Sequence, residues 1–350
     1  MIKVLVVEDS PVAREFIVHI LSSDPEIRVI ETACNGEKAV EFVRTNKPDV
    51  ITMDIHMPKM DGFEATRIIM ETNPVPIIIL SASWNPEEVE KTFLAMQAGA
   101  VAALEKPPGL GHPEYEKRIQ EIVKTVKLMS EVKVVKRRPR LREKKVFPPP
   151  VEPKVDKRRE EINVIAIGTS TGGPPALQTI LSGLSKDISV PVVIVQHIAK
   201  GFLSGMVEWL GKTTGFPIHI GKHNEYLLPG NVYIAPDGLH MGVGLDNRIS
   251  LSKDDPENGL RPSVSYLFRS VANVFREKAI GVLLTGMGKD GAEELKLMRD
   301  RGAITIVQDK ESSIVHGMPG EAIKLDAATY VMPIGMISGM LESLVNKTVH

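Results

Sequence analysis

Three polar residues in the second half of the chain have the types and positions needed for nucleophilic hydrolysis of an ester or amide. Ser170 lies in the sequence GTSTG at 168–172, and G-x-S-x-G is typical of a sharp strand-to-helix turn that exposes a serine hydroxyl. His197 and Asp290 also follow apolar runs. We expect Ser170 to attack the carbonyl carbon, His197 to accept its proton, and Asp290 to orient the imidazole ring.

The surroundings of Ser170 support this chemistry. Flanking glycines leave backbone N–H groups free to stabilise an oxyanion, and Met287, in a second glycine-flanked loop, is a candidate donor, although that loop could equally be structural. A glycine-rich turn before a helix also binds phosphate, but no lysine follows as in G-x-x-x-x-G-K-S/T. The chain order Ser, His, Asp differs from that of α/β-hydrolases, which predicts a convergent triad on a different sheet.

Acidic residues follow apolar runs near the start of the chain. Glu8 and Asp9 come after 4–7, and Asp54 comes after 50–53. Because the carboxyl ends of parallel strands lie at one edge of a sheet, we expect the three carboxylates to meet there. Their mutual repulsion calls for a divalent cation, and hard oxygen ligands suit magnesium. Asp54 is then the candidate nucleophile toward a phosphoryl group.

Two further side chains complete this candidate phosphoryl-acceptor site. Ser81, which follows the apolar run 77–80, could donate its hydroxyl to a phosphoryl oxygen, and Lys106 could supply a cation. A helix cap or a solvated surface charge would explain any one of these residues alone. Their joint occurrence after apolar runs favours a common site.

The elements that must position these residues alternate between strands and helices. Apolar runs separated by helical patterns predict parallel βα units in both halves of the chain. Between the halves, residues 131–160 contain twelve Lys or Arg, five Asp or Glu, and five Pro. We therefore predict two α/β domains, at 1–125 and 161–350, joined by a basic, proline-containing linker at 126–160.

Composition narrows the class of protein. The 350 residues include 43 Lys plus Arg and 44 Asp plus Glu, so the net charge of −1 gives no global attraction to nucleic acid or anionic lipid. Cys34 is the only cysteine, which excludes an intrachain disulfide and suits a reducing compartment. No apolar run approaches the roughly 18 residues of a membrane span. We expect a cytoplasmic protein that neither crosses a membrane nor binds nucleic acid.

The first domain carries a specific set of motif residues, namely Glu8, Asp9, Asp54, Met57-Pro58, Asp61-Gly62, Ser81 and Lys106-Pro107. This set resembles the receiver domains of two-component signalling systems across residues 1–125. The resemblance implies a flavodoxin-like fold, a histidine kinase as phosphodonor for Asp54, and magnesium held by the acidic residues. Receivers usually carry a switch aromatic three residues before the lysine, but this sequence has Ala103 there, so a rotating ring cannot carry the signal.

The second domain carries motifs that together resemble the CheB family of chemotaxis methylesterases across 161–345: 167–173, Gln196-His197, Ala235-Pro236 with His240, 261–264, 284–288 with Asp290-Gly291, and 317–319. The resemblance implies a doubly wound parallel-sheet hydrolase that demethylates glutamate methyl esters on chemoreceptor signalling helices, releases methanol, and also deamidates glutamines. It implies no cofactor for the esterase reaction. Ser265 stands where the family commonly has Asp, and we expect His240 to be structural.

Two other functions compete with a phosphorylation-regulated esterase. Receivers often precede DNA-binding modules, which would make the chain a transcriptional regulator, but the C-terminal half shows no compact helix-turn-helix pattern and no basic face. A catalytically silent scaffold is the second alternative. The intact set of Ser170, His197 and Asp290 argues against it.

Overall fold

The computed structural model describes residues 1–81, 86–109, 111–132, 134 and 161–346, with only the backbone described for 86–90. The chain divides into two compact units, one within residues 1–143 and one within 144–350. Most of the predicted linker lies outside the described residues. Among the described residues, none of the helices has the length and apolar character to span a bilayer.

The first unit is a five-stranded parallel sheet with strand order β2-β1-β3-β4-β5. Strands β3 and β4 are buried along their whole length, which explains why their sequences are mostly apolar. This architecture confirms the predicted flavodoxin-like fold. Its elements are β1 (Ile2–Val7), α1 (Pro11–Ser22), β2 (Ile27–Ala33), α2 (Gly36–Thr45), β3 (Val50–Asp54), α3 (Gly62–Thr72), β4 (Ile77–Ser81), α4 (Pro86–Ala98), β5 (Ala102–Glu105) and α5 (Tyr115–Ser130).

The turn after β3 is closed by the residues that begin α3. Asp61 caps this helix, since its Oδ1 accepts the N–H of Glu64 at 2.9 Å. Gly62 lies so close to the strand that a Cβ atom there would be 2.0 Å from the carbonyl oxygen of Asp54. A larger residue at 62 would therefore displace the end of β3.

Helix α5 crosses residue 125, where the sequence places the end of the first domain. Its buried side chains, Ile122, Val126 and Met129, lie on both sides of that position. The helical spacing recognised in the sequence thus corresponds to one continuous helix that ends at Ser130.

The second unit is a seven-stranded parallel sheet with strand order β14-β13-β12-β6-β7-β9-β8, accompanied by the antiparallel hairpin β10-β11. Its helices pack in two groups, α6 with α7 and α11, and α8 with α9 and α10, as expected of a doubly wound sheet. The elements are β6 (Val164–Thr169), α6 (Gly173–Gly183), β7 (Val192–Gln196), α7 (Leu203–Thr214), β8 (Ile218–Ile220), β9 (Val232–Ile234), β10 (His240–Val243), β11 (Ile249–Ser252), α8 (Val264–Val274), β12 (Ala279–Leu283), α9 (Ala292–Asp300), β13 (Ile304–Gln308), α10 (Gly317–Lys324), β14 (Tyr330–Met332) and α11 (Ile334–Asn346).

Strand order explains why distant polar residues can meet. The chain runs from β6 to β7 on one side and later returns to place β12 on the other side of β6. The carboxyl ends of these three adjacent strands therefore lie side by side, at the point where the direction of winding changes. Ligands bind at this position in open parallel sheets.

Candidate functional site

The predicted acidic residues of the first unit lie together. Glu8 and Asp9 follow β1, Asp54 ends β3, and these two strands are neighbours in the sheet. One carboxylate oxygen from each residue lies within 4.8 Å of the others. Glu8 and Asp54 are buried, whereas Asp9 is exposed and marks the open side of the cluster.

Lys106, just after β5, joins this cluster. Its Nζ lies 2.8 Å from Oε2 of Glu8 and 3.0 Å from Oδ1 of Asp54. Its N–H donates to the carbonyl oxygen of Ser81, which is buried at the end of β4. The structure thus brings together all the predicted phosphoryl-site residues. Ala103 occupies β5 and presents no ring there.

Burial makes the acidic cluster costly to ionise. It raises the pKa of Glu8, although Lys106 opposes this, and it likewise raises the pKa of Asp54 against the same opposing lysine. Burial also acts to lower the pKa of Lys106, but contacts with Glu8 and Asp54 outweigh it, so that pKa is raised. Three carboxylates around one ammonium leave excess negative charge.

These residues fit a magnesium ion. The donor set is three carboxylates, which are the hard oxygen ligands that magnesium prefers. Oε2 of Glu8 is buried and, among the residues that the structure describes, no donor makes an aligned hydrogen bond to it, despite the nearby ammonium group. A second cation beside Lys106 would balance the remaining charge.

Arg14 of α1 is a contributor to this site that sequence reasoning missed. Its Nη1 donates to the backbone oxygens of Glu8 at 2.8 Å and of Asp9 at 3.3 Å. The guanidinium group therefore fixes the turn that presents both carboxylates. The only available signal was an arginine in the first turn of the helix that follows the acidic pair.

In the second unit, Ser170 directly follows β6 and is half-buried. Its N–H donates to the carbonyl oxygen of Thr285 at 3.0 Å, in the loop after β12. A Cβ atom at Gly286 would lie 2.8 Å from Cβ of Ser170 and 2.4 Å from Sδ of Met318. The predicted nucleophile is thus held against a loop that can approach only because residue 286 is glycine.

His197 and Asp290 make direct contact. His197 follows β7, and its N–H donates to the carbonyl oxygen of Thr169, one residue before Ser170. Nε2 of His197 lies 2.9 Å from Oδ2 of Asp290, although the ring is not aligned for a straight hydrogen bond. The three predicted triad residues therefore lie in the segments that follow three adjacent strands.

The start of α8 holds the Asp290 carboxylate, a feature that the sequence did not reveal. Oδ1 accepts the Ser263 hydroxyl at 2.8 Å and the Ser265 N–H at 3.2 Å, and Oδ2 accepts the Val264 N–H at 2.7 Å. Oγ of Ser265 in turn accepts the N–H of Gly291 at 3.0 Å. The hydroxyl of Ser265 therefore accepts the N–H of Gly291 at a position where the family commonly has an aspartate carboxylate.

The contact with His197 and the hydrogen bonds from the start of α8 favour the ionised form of Asp290. Burial acts to raise the pKa of Asp290, but the contact with His197 and the hydrogen bonds from Ser263 and Val264 outweigh it and lower the pKa from 3.8 to about 2. The folded unit therefore stabilises the ionised carboxylate, which lies at the positive end of a helix.

Replacing Asp290 by Asn tests this ionisation. The lowered pKa corresponds to about 2 kcal/mol of stability that is present above about pH 4 and lost as the pH falls toward 2. We expect Asp290→Asn to be less stable by about that amount at pH 6, and to lose less stability than the wild type between pH 4 and pH 2. Urea unfolding at several pH values measures both quantities. The control is Asp246→Asn, at an exposed site. If the free energy of unfolding changed with pH equally in wild type and Asp290→Asn, the lowered pKa of Asp290 would be contradicted.

Two backbone N–H groups near Ser170 are candidate oxyanion donors. Met287 is half-buried in the loop between Gly286 and Gly288, and among the described residues no hydrogen bond uses its N–H. The same holds for the N–H of Thr171, the residue after Ser170.

His240 is fully buried in β10, with its ring stacked on Tyr266 and its Nε2 3.1 Å from the backbone oxygen of Asp255.

Comparison with known proteins identifies both units. Residues 4–112 match the family of response regulator receiver domains, and residues 165–341 match the CheB methylesterase family. The second match covers the region where a transcriptional regulator would need its DNA-binding module. Both matches confirm the resemblances derived from the motifs.

Full-length relatives share the same arrangement. A protein-glutamate methylesterase/protein-glutamine glutaminase of Nitrosospira multiformis is 54% identical over 345 residues, covering 99% of this chain and 97% of that protein. A protein of the same name, numbered 1, from Syntrophus aciditrophicus is 53% identical over 345 residues, covering 98% of each chain. The crystal structure of the Thermotoga maritima CheB methylesterase catalytic domain matches with 35% identity and a TM-score of 0.51, covering 54% of this chain and all of that domain. The chain therefore belongs to the CheB methylesterase family and carries a response regulator receiver domain N-terminal to the methylesterase domain.

Proposed function

We propose that this chain is a phosphorylation-regulated protein-glutamate methylesterase that also deamidates glutamines, with methyl-accepting chemoreceptors as its substrates. The observation that carries the proposal is the contact between His197 and Asp290 beside Ser170, at the ends of three neighbouring strands. This is the constellation required for acyl transfer. The names of the full-length relatives support glutamate methyl esters and glutamines of proteins as the groups acted on, and the resemblance to chemotaxis methylesterases suggests the chemoreceptors.

The orientation of His197 defines the route of the proton. Because Nε2 faces Asp290, Nδ1 is the ring nitrogen that remains for the hydroxyl of Ser170. Ser170 Oγ bonds to the ester carbonyl carbon as its proton moves to Nδ1, and that proton then passes to the departing methoxide to give methanol. Water attacks the acyl-enzyme by the same route and frees the glutamate carboxylate and Ser170. With a glutamine, the C–N bond breaks instead, and the amide nitrogen takes the same proton from Nδ1 and leaves as ammonia.

Backbone groups stabilise the oxyanion that forms in each half of this reaction. The N–H groups of Met287 and Thr171 are the proposed donors, since both belong to loops that contact Ser170 and neither is used by another described residue. Donors fixed in this way before the reaction need no reorganisation as negative charge develops. Asp290 keeps the imidazole oriented and balances its positive charge.

The first unit receives the phosphoryl group from a histidine kinase on Asp54. Glu8, Asp9 and Asp54 would hold magnesium, which when bound screens the negative charge of the incoming group. Lys106 supplies a second positive charge and Ser81 a hydroxyl donor. Residues 1–125, together with the rest of α5 to Ser130, form the proposed receiver domain, the residues from there to 160 form the linker, and 161–350 form the catalytic domain of a cytoplasmic enzyme.

Methanol release tests the proposal directly. A soluble chemoreceptor signalling fragment carrying tritiated glutamate methyl esters is incubated with the full chain, with or without acetyl phosphate and magnesium. We expect volatile tritium to appear and its rate to depend on the phosphodonor. Ammonia release from the same fragment with glutamine at those positions measures deamidation. No release above the enzyme-free rate under either condition would refute the proposed activity.

A further inference from the structure

The side chain of Gln196 connects the loops that carry Ser170 and His197. Gln196 is the last residue of β7 and is 3% exposed. Its Nε2 donates to the backbone oxygen of Ser170 at 2.8 Å and to that of His197 at 2.7 Å. One amide group therefore bonds to the two residues between which the proposed reaction moves a proton.

The chemistry of these contacts requires an amide. Both partners are carbonyl oxygens, so one nitrogen must carry two N–H bonds to join them; among uncharged side chains only an amide does so, and this fixes which way the amide points. The carbonyl oxygen of Ser170 already accepts the N–H of Gly173 at 2.8 Å. The bond from Gln196 is therefore not needed merely to satisfy that buried oxygen.

The arrangement has a cost that folding alone does not explain. Oε1 of Gln196 is buried and accepts no hydrogen bond from the described residues. Its space exists because residue 173 is glycine, since a Cβ atom there would lie 1.9 Å from Oε1 and 2.6 Å from Oγ1 of Thr169. A buried acceptor without a partner destabilises a protein.

We propose that Gln196 is a positioning residue that fixes the separation of Ser170 and His197 by tying together their backbones. The inference rests on the proposed acyl-transfer function of that pair. Proton transfer requires heavy atoms within about 3 Å of each other, and a displacement of about 1 Å can cost about 10²-fold in rate. Gly173 acts through Gln196 by leaving room for its amide.

The test uses the full chain with acetyl phosphate and magnesium, and compares wild type with Gln196→Met, which keeps the side-chain length but removes both donors. We expect kcat for methanol release to fall by about 10- to 100-fold, with KM for the receptor fragment changed by less than about twofold. Phosphonylation of Ser170 by a fluorophosphonate should slow by a similar factor. If Gln196 had only a structural role, Gln196→Met would lower the thermal midpoint but would not change the phosphonylation rate per folded molecule. That result would overturn the proposal.

A double-mutant cycle tests the part assigned to Gly173. Gly173→Ala should lower kcat by a larger factor when Gln196 is present than in the Gln196→Met background, because both changes remove the same bonds, whereas the approach of the added methyl group to Oγ1 of Thr169 is common to both backgrounds. If the fold-losses in kcat of the two single variants multiplied in the double variant, the two residues would act separately. Gln196→Asn, which keeps an amide but is too short to reach both oxygens, replaces Gln196→Met if that variant does not fold.

The control is Gln178→Met, at a half-buried position on α6, which should match the wild type. Absence of methanol release by the wild type would instead refute the proposed function. Wild-type activity together with an equally active Gln196→Met would refute the positioning role alone.

Discussion

Replacing Ser170 by Ala is expected to lower methanol release from the methylated receptor fragment by about 10⁴-fold or more, because the change removes the atom that bonds to the ester carbonyl. The half-buried side chain loses only a hydroxyl group, so the thermal midpoint should shift little. Tritiated methanol release and the loss of fluorophosphonate labelling measure the chemical effect, and thermal unfolding measures the fold.

Two companion variants sharpen this result. Ser182→Ala, at an exposed position of α6, is the matched control and should be fully active. His197→Ala should be nearly as impaired as Ser170→Ala, because members of a triad act as a unit. Activity of Ser170→Ala within tenfold of the wild type would rule out Ser170 as the nucleophile.

Replacing Asp54 by Asn is expected to abolish covalent phosphate uptake from acetyl phosphate. Asp54 is the carboxylate at the end of β3, buried and 3.0 Å from Nζ of Lys106. An amide of the same shape has no nucleophilic carboxylate oxygen. Radioactive labelling of the full chain should be lost in Asp54→Asn, and it should be lost in the wild type when a chelator removes magnesium.

Asp49 provides the control for this experiment. It is exposed just before the opposite end of β3, where Oδ2 accepts the N–H of Lys3 at 2.8 Å. Asp49→Asn should be labelled as the wild type is. Labelling that persists in Asp54→Asn would contradict Asp54 as the phosphoryl acceptor. Labelling of the wild type that is unchanged by the chelator would contradict the acidic metal site.

The sequence predicted those features that depend on order along the chain. Ser170, His197 and Asp290 each follow an apolar run, and the rule that parallel strands end at a common edge was enough to group them. The same rule grouped Glu8, Asp9 and Asp54. The fold class and both family resemblances were likewise available from motif spacing, because each motif lies within a few consecutive residues.

The contacts that support these groups could not be predicted in the same way. Ser263 reaches Asp290 only because α8 begins beside the end of β12, and no local pattern encodes that packing. The sequence marks Gln196 only as part of a motif, since its partners are backbone oxygens, which carry no sequence signal. Arg14 was missed for the same reason.

The place of Asp290 at the start of α8 has an evolutionary consequence. Polar groups at active sites usually reduce stability, so a lineage that no longer needs them loses them readily. Here the carboxylate also caps a helix through two N–H groups and a hydroxyl. A descendant released from selection for esterase activity would be free to change Ser170, but it would give up Asp290 only with the cap. Retention of this acid in a degenerate paralogue is therefore no sign that the enzyme still works.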